Sequence, residues 1–540
     1  MEAAVAYLLL LPPLLACTIL LPLLLLPALK PSKTTRTGRL PLPPSPPAVP
    51  VIGPLLWLWR ARSRLEPAIR DLHRRHGPVL TLGFLSPRPA IFVSHVAHRA
   101  LVQRGPAFAS RPPAIAPFVV LTSAQRTVSS APYGPLWRSL RRNLTSGILH
   151  PQRVARTFAP ARRWALALLA SDLESSRSAN GEVTVVESLQ FAMFSLLTYM
   201  CFGRRLPAGR VRAIEAVQRE LFSSYIGFQV FAFCPALTTR LFRRRWWKVL
   251  SIRRRQEELF MPLIAERRER IGVVAANGEG EDDCLAYCYV DTLIAHRLPK
   301  EETGEGAGGE RALTDAEIVS LCTEFLTASV DTTVTALQWI MANLVRQPEI
   351  QARLRDEIDT AITDDGKEDL AEEDLSSMPY LKAVVLERLR RHPPAHFVLS
   401  HAVASTSDSE DASLDGLRVP AATSVNFSVA DVSLDEEVWR QPEEFRPERF
   451  LDDGEGAGVD LTGSREIRMM PFGAGRRICP SMALALLHLE YFVANLVMGF
   501  EWLAAGDDVD LAERPEFTVT MERPLRARVV PGRRRLVRPV

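Results

Sequence analysis

Near its carboxyl end the chain reads Pro-Phe-Gly-Ala-Gly-Arg-Arg-Ile-Cys-Pro, from Pro471 to Pro480. Gly473 and Gly475 let the backbone turn sharply around a bulky object. Arg476 and Arg477 set cationic donors beside it. Cys479 closes the loop and leads into an apolar helical run, Leu484 to Val497. A thiolate at a helix start is favoured by the amide dipoles, so a lowered thiol pKa is expected. A phosphate-binding loop is the competing reading of Gly-Ala-Gly-Arg-Arg. Such loops need a further glycine or a Gly-Lys-Ser/Thr ending, and a phosphate loop leaves Phe472 and Cys479 without a role.

The remaining 530 or so positions, roughly, must build the surroundings of that loop. Of the 540 residues, 47% are hydrophobic and 24% charged, which suits a folded chain with a substantial core. The net charge of +4 offers no case for a nucleic-acid partner, so any electrostatic docking must come from local patches. Seven cysteines, odd in number and widely spaced, do not form a disulfide framework and suit a body in a reducing compartment. Cys284 and Cys288 lack the second pair that structural zinc requires and read as free thiols.

From Ala3 to Leu29 there is no charge and leucine dominates, enough to cross a bilayer. Lys30, Lys33, Arg36 and Arg39 follow at once, which puts the rest of the chain on the cytoplasmic side. A cleaved signal peptide would be shorter, with its charge before the apolar run. The expected organisation is a transmembrane anchor over 3–29, a basic and Pro-rich hinge over 30–54, and one large domain over 55–540. The prolines between Leu40 and Pro54 make that hinge a stiff spacer.

Two strand-like runs, Val79 to Phe84 and Ala90 to Ser94, precede a long series of helical patterns. The clearest runs from Asp315 to Arg346, with a capping box of Thr314 and Glu317 and Pro348 beyond its end. Low-complexity loops interrupt at 277–283, 301–310, 405–413 and 452–458. The expected fold class is mainly α with small β-sheets in a single large domain.

The Cys479 loop resembles the haem-binding signature of the cytochrome P-450 family: Phe472, Gly475, Arg477 and Cys479 match, while Ser481 stands where the family has glycine. The resemblance extends in order along nearly the whole chain. Trp137 and Arg141 match its Trp-x-x-x-Arg. Glu387 and Arg390, with Phe445 to Phe450 (Phe-Arg-Pro-Glu-Arg-Phe), match its buried Glu–Arg–Arg triad, completed by Arg449. Ala328 to Thr333 matches its oxygen-side segment, with Ser329 in place of the usual glycine. The segments Ser130 to Leu144 and Thr335 to Val345 look like plant family 89, of the endoplasmic-reticulum type.

What the resemblance implies follows. Haem b is the cofactor, with Cys479 its axial thiolate, which favours cleavage of iron-bound dioxygen. Arg477, Trp137, Arg141 and His401 reach the propionates, and Phe472 and Gly475 shape the loop. Asp331 and Thr332 deliver protons, as an acid beside an alcohol can. The reaction is monooxygenation: one atom of dioxygen enters a lipophilic small molecule. Electrons come from NADPH through a reductase that docks beneath the haem, where Arg138 and Arg142 would face outward. The pocket would be lined by 113–118, 325–332, 395–399 and 519–521, and the basic stretch Arg240 to Arg255, with Trp246 and Trp247, would lie near the substrate entrance and a membrane interface. The implied location is the endoplasmic reticulum membrane, single-pass, in plant secondary metabolism. Two alternatives stay open. One is a reductase-independent, peroxide-rearranging member of the same fold, although such members typically lack the threonine at the position of Thr332. The other is a catalytically impaired membrane protein, suggested by Ser329 and Ser481.

Overall fold

The computed structural model describes residues 40–45 and 65–532, apart from 83–89, 95–97, 104, 179, 233–234, 278–286, 300–308, 363–369, 404–411, 422 and 507. The expected anchor, most of the hinge, Cys17 and Cys284 lie outside the described residues. The hinge residues that are described dock on the body. Thr81 donates its amide to the Pro44 carbonyl at 2.8 Å and its hydroxyl to Pro43 at 3.1 Å, and the Arg418 amide donates to Pro41 at 2.7 Å.

The organising element is the helix Asp315–Arg346, 32 residues that span about 48 Å at 1.5 Å per residue. Its start is fixed as the sequence implies: Thr314 Oγ1 accepts from the Glu317 amide at 3.3 Å, and the Glu317 carboxylate accepts from the Thr314 amide at 2.8 Å. It ends where Gln347, with φ −124° and ψ 80° ahead of Pro348, leaves helical geometry. Most residues from Ile318 to Val345 are buried, because Val185–Phe202, Met482–Gly499, Arg243–Asn277 and Pro379–Arg391 pack around it. A helix apolar on all sides must be enclosed. Val185–Phe202 and Met482–Gly499 are long and apolar enough to cross a membrane, yet both are mostly buried in this core.

The sheets are small. Val79–Leu82 and Ala90–Val93 form the expected hairpin, and Ala90–Val93 then pairs in parallel with Ser424–Phe427, beside which His401–Ala402 runs antiparallel. Near the carboxyl end, Glu513–Pro515 and Val519–Met521 make a hairpin whose tip is residues 516–518. Val519 and Met521 are buried, and the Val519 carbonyl accepts from the Trp339 indole at 3.0 Å. The tip reaches the oxygen-side segment through Thr518, which bonds to Asp331.

The triad forms. Arg390 grips Glu387 with two bonds of 2.7 and 2.8 Å, Arg449 Nε donates to the same carboxylate at 3.2 Å, and all three side chains are buried. The loop 452–458 contributes a further partner: Glu455 pairs with Arg449 and accepts from the Arg440 amide at 3.0 Å. A stretch that reads as low complexity thus completes a buried ion network. Removing one member of such a network costs about 3–5 kcal/mol, because the others stay buried without a partner.

Candidate active site

The Cys479 loop lies against the short helix Ala100–Gln103. Gly475 has φ +67°, and a Cβ there would overlap the Leu101 carbonyl, so glycine is required twice over. The Cys479 amide donates to the Phe472 carbonyl at 2.8 Å and closes the loop, while half-buried Phe472 packs on the main core. Ser481 has φ −101°, which any residue adopts. The absent glycine is therefore no strain on the loop. The Ser481 hydroxyl lies 4.0 Å from the Cys479 sulfur.

The expected low thiol pKa is not what the structure gives. Burial pushes the Cys479 thiol up, and the amide and hydroxyl of Ser481, with Arg141, oppose it without prevailing. The helix itself begins only at Met482, beyond the sulfur's immediate surroundings. A thiolate at Cys479 therefore needs a cation at the sulfur, and a bound metal ion supplies one.

On one side of the loop the sequence-predicted residues converge. Pro135 starts the helix Pro135–Arg142, and Trp137 and Arg141 share its inner face. The Trp137 indole donates to the Val128 carbonyl at 3.1 Å and Arg141 to the Ile478 carbonyl at 2.7 Å. Arg477 donates to the carbonyls of Ala109, Val128 and Ala131 at 2.6, 3.1 and 2.6 Å, and its guanidinium lies 4.5 Å from the Trp137 ring centre. His401 Nδ1 donates to the Phe108 carbonyl at 2.7 Å. Arg138 and Arg142 are exposed on the same helix.

Arg111 joins this group and escaped the sequence reading. It donates to the carbonyls of Ser129, Leu399 and Ser400 at 2.8, 2.7 and 3.0 Å. No local pattern marks it, since the latter two partners lie 288 and 289 residues away.

These cations have few counter-charges. Burial pulls the Arg111 pKa down to about 10, partly offset by Glu324; burial, Arg111 and Arg141 pull Arg477 down to about 9. Burial and Arg111 push His401 down to about 3. Among the described residues, the hydrogen bonds of Arg111, Arg141 and Arg477 go to main-chain carbonyls. Glu324, whose charge reaches Arg111 and Arg477, is occupied by the amides of Val128 and Ser129. Such a cluster suits a bound dianion next to the thiol. Haem, with two carboxylates and an iron, matches both demands.

The oxygen-side residues Asp331 and Thr332 bond to different partners. The Thr332 hydroxyl donates to the Ala328 carbonyl at 2.8 Å, within its own helix. Asp331 instead accepts from the Thr518 hydroxyl at 2.5 Å, across to the hairpin tip. Burial raises the Asp331 pKa, with Thr518 opposing. The helix runs unbroken through Ser329.

Comparison with known proteins identifies the family. The family model described as Cytochrome P450 matches residues 43–528. Cytochrome P450 89A9 of Arabidopsis thaliana is 44% identical over 90% of this chain and 93% of its own length. The indolin-2-one monooxygenase of Zea mays is 31% identical over 89% of this chain and 87% of its own. A solved zebra fish cytochrome P450 with abiraterone shares the fold at TM-score 0.67 and 24% identity, over 86% of this chain and 99% of that one. The chain belongs to the cytochrome P450 family, in its plant family-89 branch, and is a monooxygenase that uses haem with a cysteine thiolate as the iron ligand.

Proposed function

We propose that Cys479 is the thiolate ligand and that Arg111, Trp137, Arg141, His401 and Arg477 hold the haem propionates. The observation that carries this is the cluster of half-buried cations, bonded to carbonyls, beside the one cysteine of the Gly-Arg loop. Haem supplies dioxygen activation and the oxidising equivalent for a C–H bond. The protein's residues do the rest. Phe472 and Gly475 keep the sulfur in place. Arg111 and Arg477 remain cationic at neutral pH and neutralise carboxylates without competing side-chain partners. His401 has its Nδ1 proton committed to Phe108, so it donates from Nε2 only as an imidazolium. Burial first and Arg111 second hold its pKa at about 3, and a carboxylate beside it opposes both. Asp331 and Thr332 move protons toward the oxygen side, Asp331 as a half-buried acid whose pKa is raised by desolvation.

The substrate class is a lipophilic small molecule, in keeping with the rings of Phe118, Phe222, Tyr225 and Phe517, which meet one another at 4.7–5.2 Å between centroids, with Phe517 next in sequence to Thr518. Electrons arrive from NADPH through a reductase whose acidic face meets exposed Arg138 and Arg142. The enzyme is anchored by 3–29 in the endoplasmic reticulum membrane with its body in the cytosol.

The test is reduction followed by carbon monoxide. The red-shifted Soret band of a thiolate-ligated ferrous complex is expected from the full chain and is lost in Cys479→His. Full-length folded protein without that band overturns the ligand assignment. NADPH-dependent product formation with reductase, over a panel of lipophilic compounds, then separates monooxygenation from peroxide rearrangement.

A further inference from the structure

The oxygen-side acid is tied to a part of the chain 187 residues away. Thr518 sits at the tip of the hairpin Glu513–Pro515/Val519–Met521, is buried to 3% exposure, and donates its hydroxyl to Asp331 at 2.5 Å. Its neighbour Phe517 lies edge-on to Tyr225 at 4.7 Å and against Phe222 at 5.2 Å, and Tyr225 in turn meets Phe118 at 4.7 Å. Two consecutive residues of one turn therefore face two different parts of the site. One holds the acid and the other completes an aromatic roof shared with Ala116–Leu121 and Ala208–Phe228.

We infer that Thr518 is a positioning residue for Asp331, and that the hairpin tip couples the aromatic roof to the orientation and protonation of that acid. This rests on the reading of Asp331 as a proton donor. The physical reason is geometric. A hydroxyl that donates to a carboxylate favours its charged form and fixes its rotamer. In the observed arrangement Asp331 is turned toward Thr518, and no bond joins it to Thr332, whose hydroxyl is satisfied by Ala328. Proton delivery then requires Asp331 to exchange Thr518 for a group nearer the iron. A shift of the tip, transmitted through Phe517 when a substrate presses on the roof, loosens that hold. The charged groups felt by Asp331 are Glu516, on the tip itself, which raises its pKa, and Arg219, on the helix Ala208–Phe228, which lowers it. Neither is bonded to it in the structure, so the directional contact is the hydroxyl.

The test is an infrared pH titration of haem-loaded, full-length protein in detergent. The protonated-carboxyl band of Asp331 is identified by its loss in Asp331→Asn. Thr518→Val removes the hydroxyl at nearly constant shape and should move the midpoint upward by about 1–2 pH units, the equivalent of one hydrogen bond to a charged group. Thr518→Ser should restore the wild-type midpoint, which a purely packing role would not do. Phe517→Ala, with the hydroxyl kept, should move the midpoint in the same direction by a smaller amount. An unchanged midpoint in Thr518→Val overturns the positioning role, and an unchanged midpoint in Phe517→Ala overturns the coupling to the roof. The underlying reading fails separately. If Asp331→Asn releases no more hydrogen peroxide per NADPH than wild type, Asp331 is not the proton donor, whatever the titrations show.

Discussion

At the scale of single residues, the site is built from side chains that spend most of their hydrogen bonds on the protein's own backbone. Arg477 is the clearest case: it ties three carbonyls, of Ala109, Val128 and Ala131, to the cysteine loop. Lysine carries the same charge but lacks the planar fork, so it cannot satisfy three carbonyls in those directions. Arg477→Lys should lower stability by about 2–4 kcal/mol, from two orphaned acceptors, and reduce the ratio of bound haem to protein. Absorbance ratios and melting curves check both. Wild-type values in each would show that charge alone matters at this position. The sequence does point to the residues that the fold gathers here: Phe472, Gly475, Arg477 and Cys479 by their loop, and Trp137 and Arg141 by their match to a family motif. Arg111 and Thr518 were not legible, because their meaning lies in partners that only the tertiary fold supplies. The thiol pKa was misread because dipole arguments are local, whereas burial depends on the whole surroundings.

At the scale of elements, the central helix is where local sequence and tertiary packing agree. Thr314 and Glu317 announce its start in the sequence, but the structure gives Glu317 more to do. Its carboxylate accepts from Arg311 at 2.8 and 2.6 Å and from Arg126 at 3.4 Å, as well as from the Thr314 amide. Burial pushes this carboxyl up, and the Arg311 bonds with the Thr314 amide outweigh it, leaving the pKa below the ordinary glutamate value. The sign of the linkage follows. A depressed folded-state pKa stabilises the fold fully above the unfolded value of about 4.3, and that contribution disappears as the pH falls through the folded value. Glu317→Gln keeps an acceptor for the cap but loses the charge. It should cost about 1–3 kcal/mol at neutral pH, and its melting temperature should converge on that of wild type as the pH drops below about 4. A gap that stays constant across that range would mean the charge contributes nothing. The hairpin Val79–Leu82/Ala90–Val93 was legible for the same local reasons, but the parallel pairing of Ala90–Val93 with Ser424–Phe427 was not, since no local pattern links strands that far apart.

At the scale of the whole molecule, the proposed lipophilic substrate and membrane location direct attention to the surface. The basic stretch Arg240 to Arg255 reads as one patch in sequence, but the fold divides it. Arg253 is buried, donating to the Ser320 hydroxyl and the Ala316 carbonyl at 2.9 Å each, and half-buried Trp246 packs on Phe231. Outside remain Arg240, Arg243, Arg244 and Arg245, with Leu237, Leu241 and Phe242 exposed beside them and Trp247 63% exposed. Arg240, Arg243, Trp246 and Trp247 share a groove with Thr239. Fully burying a leucine side chain is worth about 1.5–3 kcal/mol, and each arginine near an anionic bilayer surface adds about 1 kcal/mol. Together these predict a membrane contact that does not need residues 3–29. A chain lacking those residues should sediment with vesicles of anionic phospholipid, more weakly with neutral ones, and should be partly released by high salt, because exposed charges are screened beyond about 10 Å at 0.1 M. Leu241→Ser combined with Trp247→Ser should weaken vesicle binding about ten-fold or more while leaving the ferrous carbon monoxide spectrum intact. If the double variant binds as tightly as its parent, the patch is an ordinary solvated surface, and the body meets the bilayer through some other face.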